Sequence, residues 1–140
     1  MILPKVKFSP WVRWKDRETL AGIQGSGVYL LAHYKRPPSG SANPKTSKII
    51  YIGETTKQTL KKRLEDFNRA AFKCNTPRHS GGKTYSKQFG KKKINQLFVA
   101  VFAPDVQNSP LGPFFIQYLE RRLLLHYVIK WKNKLACNIK

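Results

Sequence analysis

Arg63 and Glu120 are the side chains of this sequence whose setting most invites chemistry, and two tyrosines, Tyr29 and Tyr51, stand upstream of them. Glu120 falls inside an apolar helical pattern. Its neighbours at i−4, i+3, i+4 and i+7 are Ile116, Leu123, Leu124 and Tyr127. A carboxylate on such a stripe is at least partly buried and needs a partner, because an isolated buried charge is costly. Arg121 and Arg122 adjoin it in sequence and point elsewhere on a helix. A hard divalent cation is the remaining answer, since Mg²⁺ takes one or two protein carboxylates and completes its shell with water and phosphate oxygens. Arg63 offers a guanidinium fork suited to a phosphate, although Lys61 and Lys62 beside it also fit a solvated basic helix face. Tyr29 closes the triplet Gly27-Val28-Tyr29 and Tyr51 opens Tyr51-Ile52-Gly53. Tyrosines on strands are most often cross-strand packing partners. The glycines beside them mark places where something approaches the backbone closely. His79-Ser80-Gly81-Gly82 reads equally as a loop turning into a helix and as a nest of amides for a phosphate.

The elements that must position these groups follow from periodicity. Residues 28–34 and 48–53 have strand composition and form an antiparallel hairpin, joined by a long Pro/Ser/Gly-rich loop over 35–47. A helix is expected over 56–73, with Leu60, Leu64, Phe67 and Ala71 on one stripe and Arg63 at its edge. Loop residues 74–82 lead to a short basic helix over 83–93, broken at Gly90. A third strand covers 97–103, and a long helix runs from Pro113 to about residue 130. Residues 1–24 read as an arm with one helical turn after Asp16, and residues 131–140 as a tail. The strand–strand–helix–strand–helix order makes this an α/β chain of the α+β type. It folds as one domain, with the arm at 1–24 and the core at 25–140.

Charge narrows the partner. The chain has 140 residues, 41% of them apolar, and a formal net charge of +20. Such self-repulsion answers a polyanion, and nucleic acid is the first candidate. Residues 57–93 hold 12 Lys/Arg against Glu65 and Asp66, whereas residues 94–140 hold six against Asp105 and Glu120. Lys57, Lys62, Arg78, Lys83, Lys87, Lys91, Lys92 and Lys93 are therefore the expected phosphate contacts. Cys74 and Cys137 make no CxxC pair, and two free thiols fit a reducing cytoplasm. No apolar run approaches the length of a membrane span, and the N-terminus lacks a signal-peptide core, so an intracellular protein is expected. The scattered acidic residues do not offer the clustered carboxylates of two-metal hydrolysis.

Taken in order, Gly27-Val28-Tyr29, Tyr51-Ile52-Gly53, Arg63, Glu120 and Asn138 resemble the signature of the GIY-YIG nuclease family across residues 25–140. The resemblance implies a small three-stranded antiparallel sheet flanked by helices and a metal-dependent endonuclease acting on DNA. It implies Tyr29 as general base toward the attacking water, with Tyr51 on that water or the phosphate. Arg63 would stabilise phosphate charge, Glu120 would hold one Mg²⁺ or Mn²⁺, and Asn138 would brace the site. A phenol ionises near pH 10 in water, and a neighbouring cation brings it toward working pH. The chain departs from the family in four places, one of them the 35–47 loop, which is longer than usual. Val28 replaces isoleucine. Phe67 stands where relatives carry histidine or tyrosine, so His79 is the expected substitute. Glu54 follows the second triplet, as a second metal contact or with no role. One such site cuts one strand per visit, and cutting both would take a homodimer on DNA or a second event. Two other classes fit the charge: a silent nucleic-acid-binding module on the same fold, and a structural RNA-binding protein of ribosomal type.

Overall fold

The computed structural model describes residues 4–73, 79–105 and 110–138. Over these residues the chain is α+β, with one antiparallel sheet of four strands and three α-helices. The strands are β1 (Val12–Arg13), β2 (Gly27–His33), β3 (Ile49–Thr55) and β4 (Leu97–Phe102), in the order β1-β4-β2-β3. The helices are α1 (Leu60–Phe72), α2 (Ser80–Gln88) and α3 (Gly112–Trp131).

The three expected strands form where apolar and β-branched residues concentrate. The sheet is nonetheless four-stranded rather than three-stranded. The extra member is the two-residue β1, which pairs Val12 with Val99 and Arg13 with Phe98. Residues 1–24 are thus not a peripheral arm over their described part. Trp11, Trp14, Leu20 and Ile23 are buried, and Trp14 Nε1 donates to Asn68 Oδ1 on α1 at 2.8 Å. The expected helical turn is a 3₁₀ segment that begins at Trp14, before Asp16.

Alternation along β2 and β3 splits the core between the two faces of the sheet. One face carries Tyr29, Leu31 and Tyr51 against Leu60, Leu64 and Phe67 of α1 and Tyr85 of α2. The other carries Leu30, Ile52 and Ala100 against Phe115, Leu119 and Leu123 of α3. Thr59 caps α1, its side chain accepting from the Lys62 N–H. Helix α3 starts with Pro113 in its first turn and stops at Lys132, which adopts a left-handed conformation with φ of 57°.

Two boundaries differ from expectation for one reason, tertiary contact. Helix α2 begins at Ser80, ahead of the expected 83, because His79 caps it. Residues 132–138 are not a loose tail. Leu135 and Cys137 are buried, and the Cys137 N–H donates to Ile50 O at 2.9 Å along the open edge of β3. The 35–47 loop also packs down, with Ala42 buried and its N–H donating to Ser9 O at 2.9 Å. Among the described residues no helix is long and apolar enough to cross a membrane.

Candidate active site

Beside the outer edge of β3 lies a hollow of about 420 Å³, lined by β3, α1, the start of α2, α3 and the segment after it. Four residues singled out in the sequence line it: Tyr51, Arg63, Glu120 and Asn138. They come from four separate parts of the chain, so the fold alone assembles them. Glu120 is half-buried on α3, as its apolar neighbours require. Arg63 lies at the core–solvent edge of α1. Glu54 joins them, with its Oε2 atom withdrawn from solvent.

Asn138 acts on the backbone. Its Oδ1 accepts from the Ile52 N–H and its Nδ2 donates to the Ile52 carbonyl, both at 3.0 Å. The side-chain amide thus takes the place of a neighbouring strand for the middle residue of Tyr51-Ile52-Gly53. That satisfies two backbone groups at a sheet edge that would otherwise stay open.

Tyr29 stands deeper. It has no exposure and does not line the hollow, whereas Tyr51 does both to a small degree. A water molecule in the hollow therefore meets Tyr51, and the expected direct contact between Tyr29 and the attacking water does not fit this arrangement. The reason is register. Tyr29 pairs with Gly53 across the hairpin, and a β-carbon at Gly53 would collide with the rings of both tyrosines. The motif glycine leaves room for Tyr29 to pack behind Tyr51, with the two rings tilted by 41°. Gly81 plays the same part from α2, since a β-carbon there would strike the Tyr51 ring.

His79 is fully buried and fixes the hydrogen-bond order. Its Nδ1 accepts the Gly82 N–H at 3.1 Å, capping α2. In the neutral ring the proton then sits on Nε2, which donates to the Tyr29 hydroxyl oxygen at 2.8 Å. Tyr29 also hydrogen-bonds to Arg63 and to Tyr51. With both lone pairs taken by His79 and Arg63, its own proton points to Tyr51. Both ring nitrogens of His79 are thus engaged inside the fold, one with Gly82 and one with Tyr29.

The electrostatics agree with that order. Burial drives the Tyr29 phenol well above its usual value, and Tyr51 adds to the rise while Arg63 opposes it. Burial raises Tyr51 too, but the Tyr29 hydrogen bond and Arg63 pull it back, and the Glu120 charge pushes it up. Arg63 opposes the rise at both phenols, and Tyr51 alone is also lowered by a hydrogen bond from the other tyrosine. The His79 imidazole is held down to about 3, first by burial and then by Arg63. It is neutral in the folded state at every working pH.

That depression makes a prediction. An imidazole near 6.5 in the unfolded chain and about 3 when folded contributes stability that is complete above pH 6.5. The contribution is lost as pH falls from there toward 3, and amounts to about 4 kcal/mol. His33, lowered to about 4 by burial and Lys93, acts in the same sense. Thermal unfolding followed from pH 7 to pH 4 is expected to show a steep fall in wild type and a shallower one in His79→Asn, which keeps a capping acceptor. Equal slopes would show that His79 is not held neutral.

Most of the expected phosphate contacts lie apart from the hollow's lining. Lys57, Lys62, Lys83, Lys87, Lys91, Lys92 and Lys93 are exposed. Lys62 is engaged with Asp66 at 3.0 Å, and Lys93 lies over the Phe89 ring. No ion pair among the described residues involves Lys83, Lys87, Lys91 or Lys92. Arg78 and Cys74 fall outside the described residues. Sequence reasoning missed Arg121 and Lys134, which also line the hollow. Arg121 was set aside as pointing away from Glu120, and nothing in the sequence marks Lys134.

Among the described residues no three of His, Cys, Asp and Glu gather as a metal-binding set. The hollow offers two carboxylates, Glu54 and Glu120, and these hard oxygen donors fit a divalent cation that completes its shell from water and a phosphodiester. Compared with known proteins, the chain matches no family model, no curated protein and no solved structure.

Proposed function

We propose that the protein is a divalent-metal-dependent endonuclease that hydrolyses DNA phosphodiester bonds, one strand at each visit. One observation carries the reading: Tyr51, Arg63, Glu120 and Asn138, distant in sequence, line a single hollow on a protein of charge +20. The family resemblance of their order adds to it.

In this mechanism the phosphodiester enters the hollow and Arg63 neutralises charge building on its non-bridging oxygens. Tyr51, as the phenolate, takes a proton from the attacking water. The Tyr29 hydroxyl stabilises that phenolate by donating to it, and His79 and Arg63 hold Tyr29 in place. The water oxygen bonds to phosphorus as the bond to the 3′ oxygen breaks, and solvent protonates the leaving oxygen. Asn138 keeps the backbone beneath Tyr51 fixed. A Mg²⁺ or Mn²⁺ ion held by Glu120, with Glu54 beside it, would supply positive charge to the phosphate and the leaving oxygen. Lys83, Lys87, Lys91 and Lys92 would bind flanking phosphates and give binding a steep salt dependence.

The test is nicking of supercoiled plasmid by the wild-type chain with Mg²⁺ or Mn²⁺ and with EDTA. Open circles forming before linear DNA, and only with metal, are expected. Tight binding to plasmid and to branched DNA with no cleavage of either would favour the silent binding module.

A further inference from the structure

Helix α3 is apolar on two sides. Its inner side packs on the sheet through Phe115, Ile116, Leu119 and Leu123. Its outer side exposes Phe114 (71%), Tyr118 (53%) and Leu125 (57%), in helical succession. Arg121 and Arg122 sit between the aromatic pair and Leu125, and the Arg122 guanidinium donates to the Tyr118 hydroxyl at 3.4 Å. Together they line a shallow trough of about 650 Å³. Large apolar side chains exposed side by side and rimmed by polar ones mark a binding surface.

Three observations bear on its occupant. Arg121 lines both the trough and the hollow that holds Glu120, so the two adjoin at its side chain. The face is aromatic and cationic together, which suits bases that stack and a backbone that is anionic. A second copy would bring a +20 chain and its paired arginines against their like.

We propose that Phe114 and Tyr118 form a stacking platform for unpaired bases of the DNA strand held in the hollow, making forked or flapped DNA the preferred substrate class. Bases in an intact duplex keep their faces stacked on one another and cannot use the platform. Unpaired bases adjoining the cut site can. Arg121 holds the phosphate between the two positions. The inference takes the identity of the polymer from the nuclease reading, but its test reads binding alone.

The experiment measures the affinity of the full chain, in EDTA, for a blunt duplex and for the same duplex bearing an unpaired adenine flap with 2-aminopurine in it. Wild type is compared with Phe114→Ala/Tyr118→Ala and with Phe114→Leu/Tyr118→Leu, all checked for unchanged thermal unfolding. Expected are preferential binding of the flap and quenching of 2-aminopurine. Both double variants should lose flap affinity by about tenfold or more while duplex affinity changes less than about twofold. Leucine keeps the face apolar, so retained flap binding in the leucine variant would overturn stacking. Equal losses on both DNAs, or no loss, would overturn the substrate class. A wild-type dimer that the alanine variant dissolves, with both affinities intact, would assign the stripe to a second copy instead. Failure of plasmid nicking would leave each of these binding outcomes readable.

Discussion

Glu120→Gln is expected to lower metal-dependent cleavage by a factor of about a hundred to a thousand while leaving the fold and DNA binding intact. Glutamine has the shape of glutamate without its charge. The position on α3 is only half-buried, so a neutral side chain of the same shape is tolerated there. The hollow loses one of its two carboxylates, leaving Glu54 to hold a divalent cation among Arg63, Arg121 and Lys134. Removing a negative charge from a surface of +20 favours the polyanion, so affinity for uncut DNA should stay level or rise. Glu120 also raises the Tyr51 phenol, so the substitution makes that group easier to ionise. A loss of rate therefore cannot come from a smaller phenolate fraction. Nicking rates, DNA affinity and the shift of thermal unfolding on adding Mg²⁺ together check this. Full cleavage by Glu120→Gln, or an Mg²⁺-induced stabilisation equal to that of wild type, would remove Glu120 from the metal.

The second large effect separates the two tyrosines. Tyr51→Phe should lower cleavage by about a hundred- to ten-thousandfold, the range for losing a general base. Tyr29→Phe should lower it less, because the base remains and only the hydroxyl that supports it is lost. Its larger cost is to stability. The His79 Nε2–H is buried and would lose its acceptor, at about 1–3 kcal/mol. The pH profile carries the sign. Tyr51 lies above its ordinary value near 10, so its phenolate fraction grows about tenfold per pH unit through the neutral range. The wild-type rate should climb with that slope from pH 7 to 9, and Tyr51→Phe should not. A greater loss of cleavage in Tyr29→Phe than in Tyr51→Phe would return the base to Tyr29.

The sheet's three longer strands were legible because alternation and β-branched residues act over six or seven positions. Strand β1 was not, since two residues carry no period and only the pairing of Val12 with Val99 makes them a strand. The start of α2 was hidden for a different reason. Gly81 and Gly82 are poor helix formers, and they stand there because Tyr51 and Ala70 leave no space for a β-carbon. Tertiary crowding, not local preference, decides that stretch.

Within the site, Glu120 was legible as a carboxylate on an apolar stripe, and the two tyrosines as neighbours on one face. Their depth was not. Alternation says which face a side chain takes, and says nothing of which ring lies nearer solvent. Asn138 was expected only through the family resemblance, because a lone asparagine between Cys137 and Ile139 has no local signature. Its role exists only against Ile52, 86 positions earlier.

The clamp between Asn138 and Ile52 also sets an order of events during synthesis. Both tyrosines, Arg63 and Glu120 leave the ribosome before the residue that locks the strand beneath them. Until position 138 has emerged and folded back along β3, the hollow lacks a wall and its floor is unbraced. In the proposed nuclease, competence to cut would thus be acquired after the rest of the sheet is in place, and a stalled, incomplete chain would carry the positive charge without the finished site.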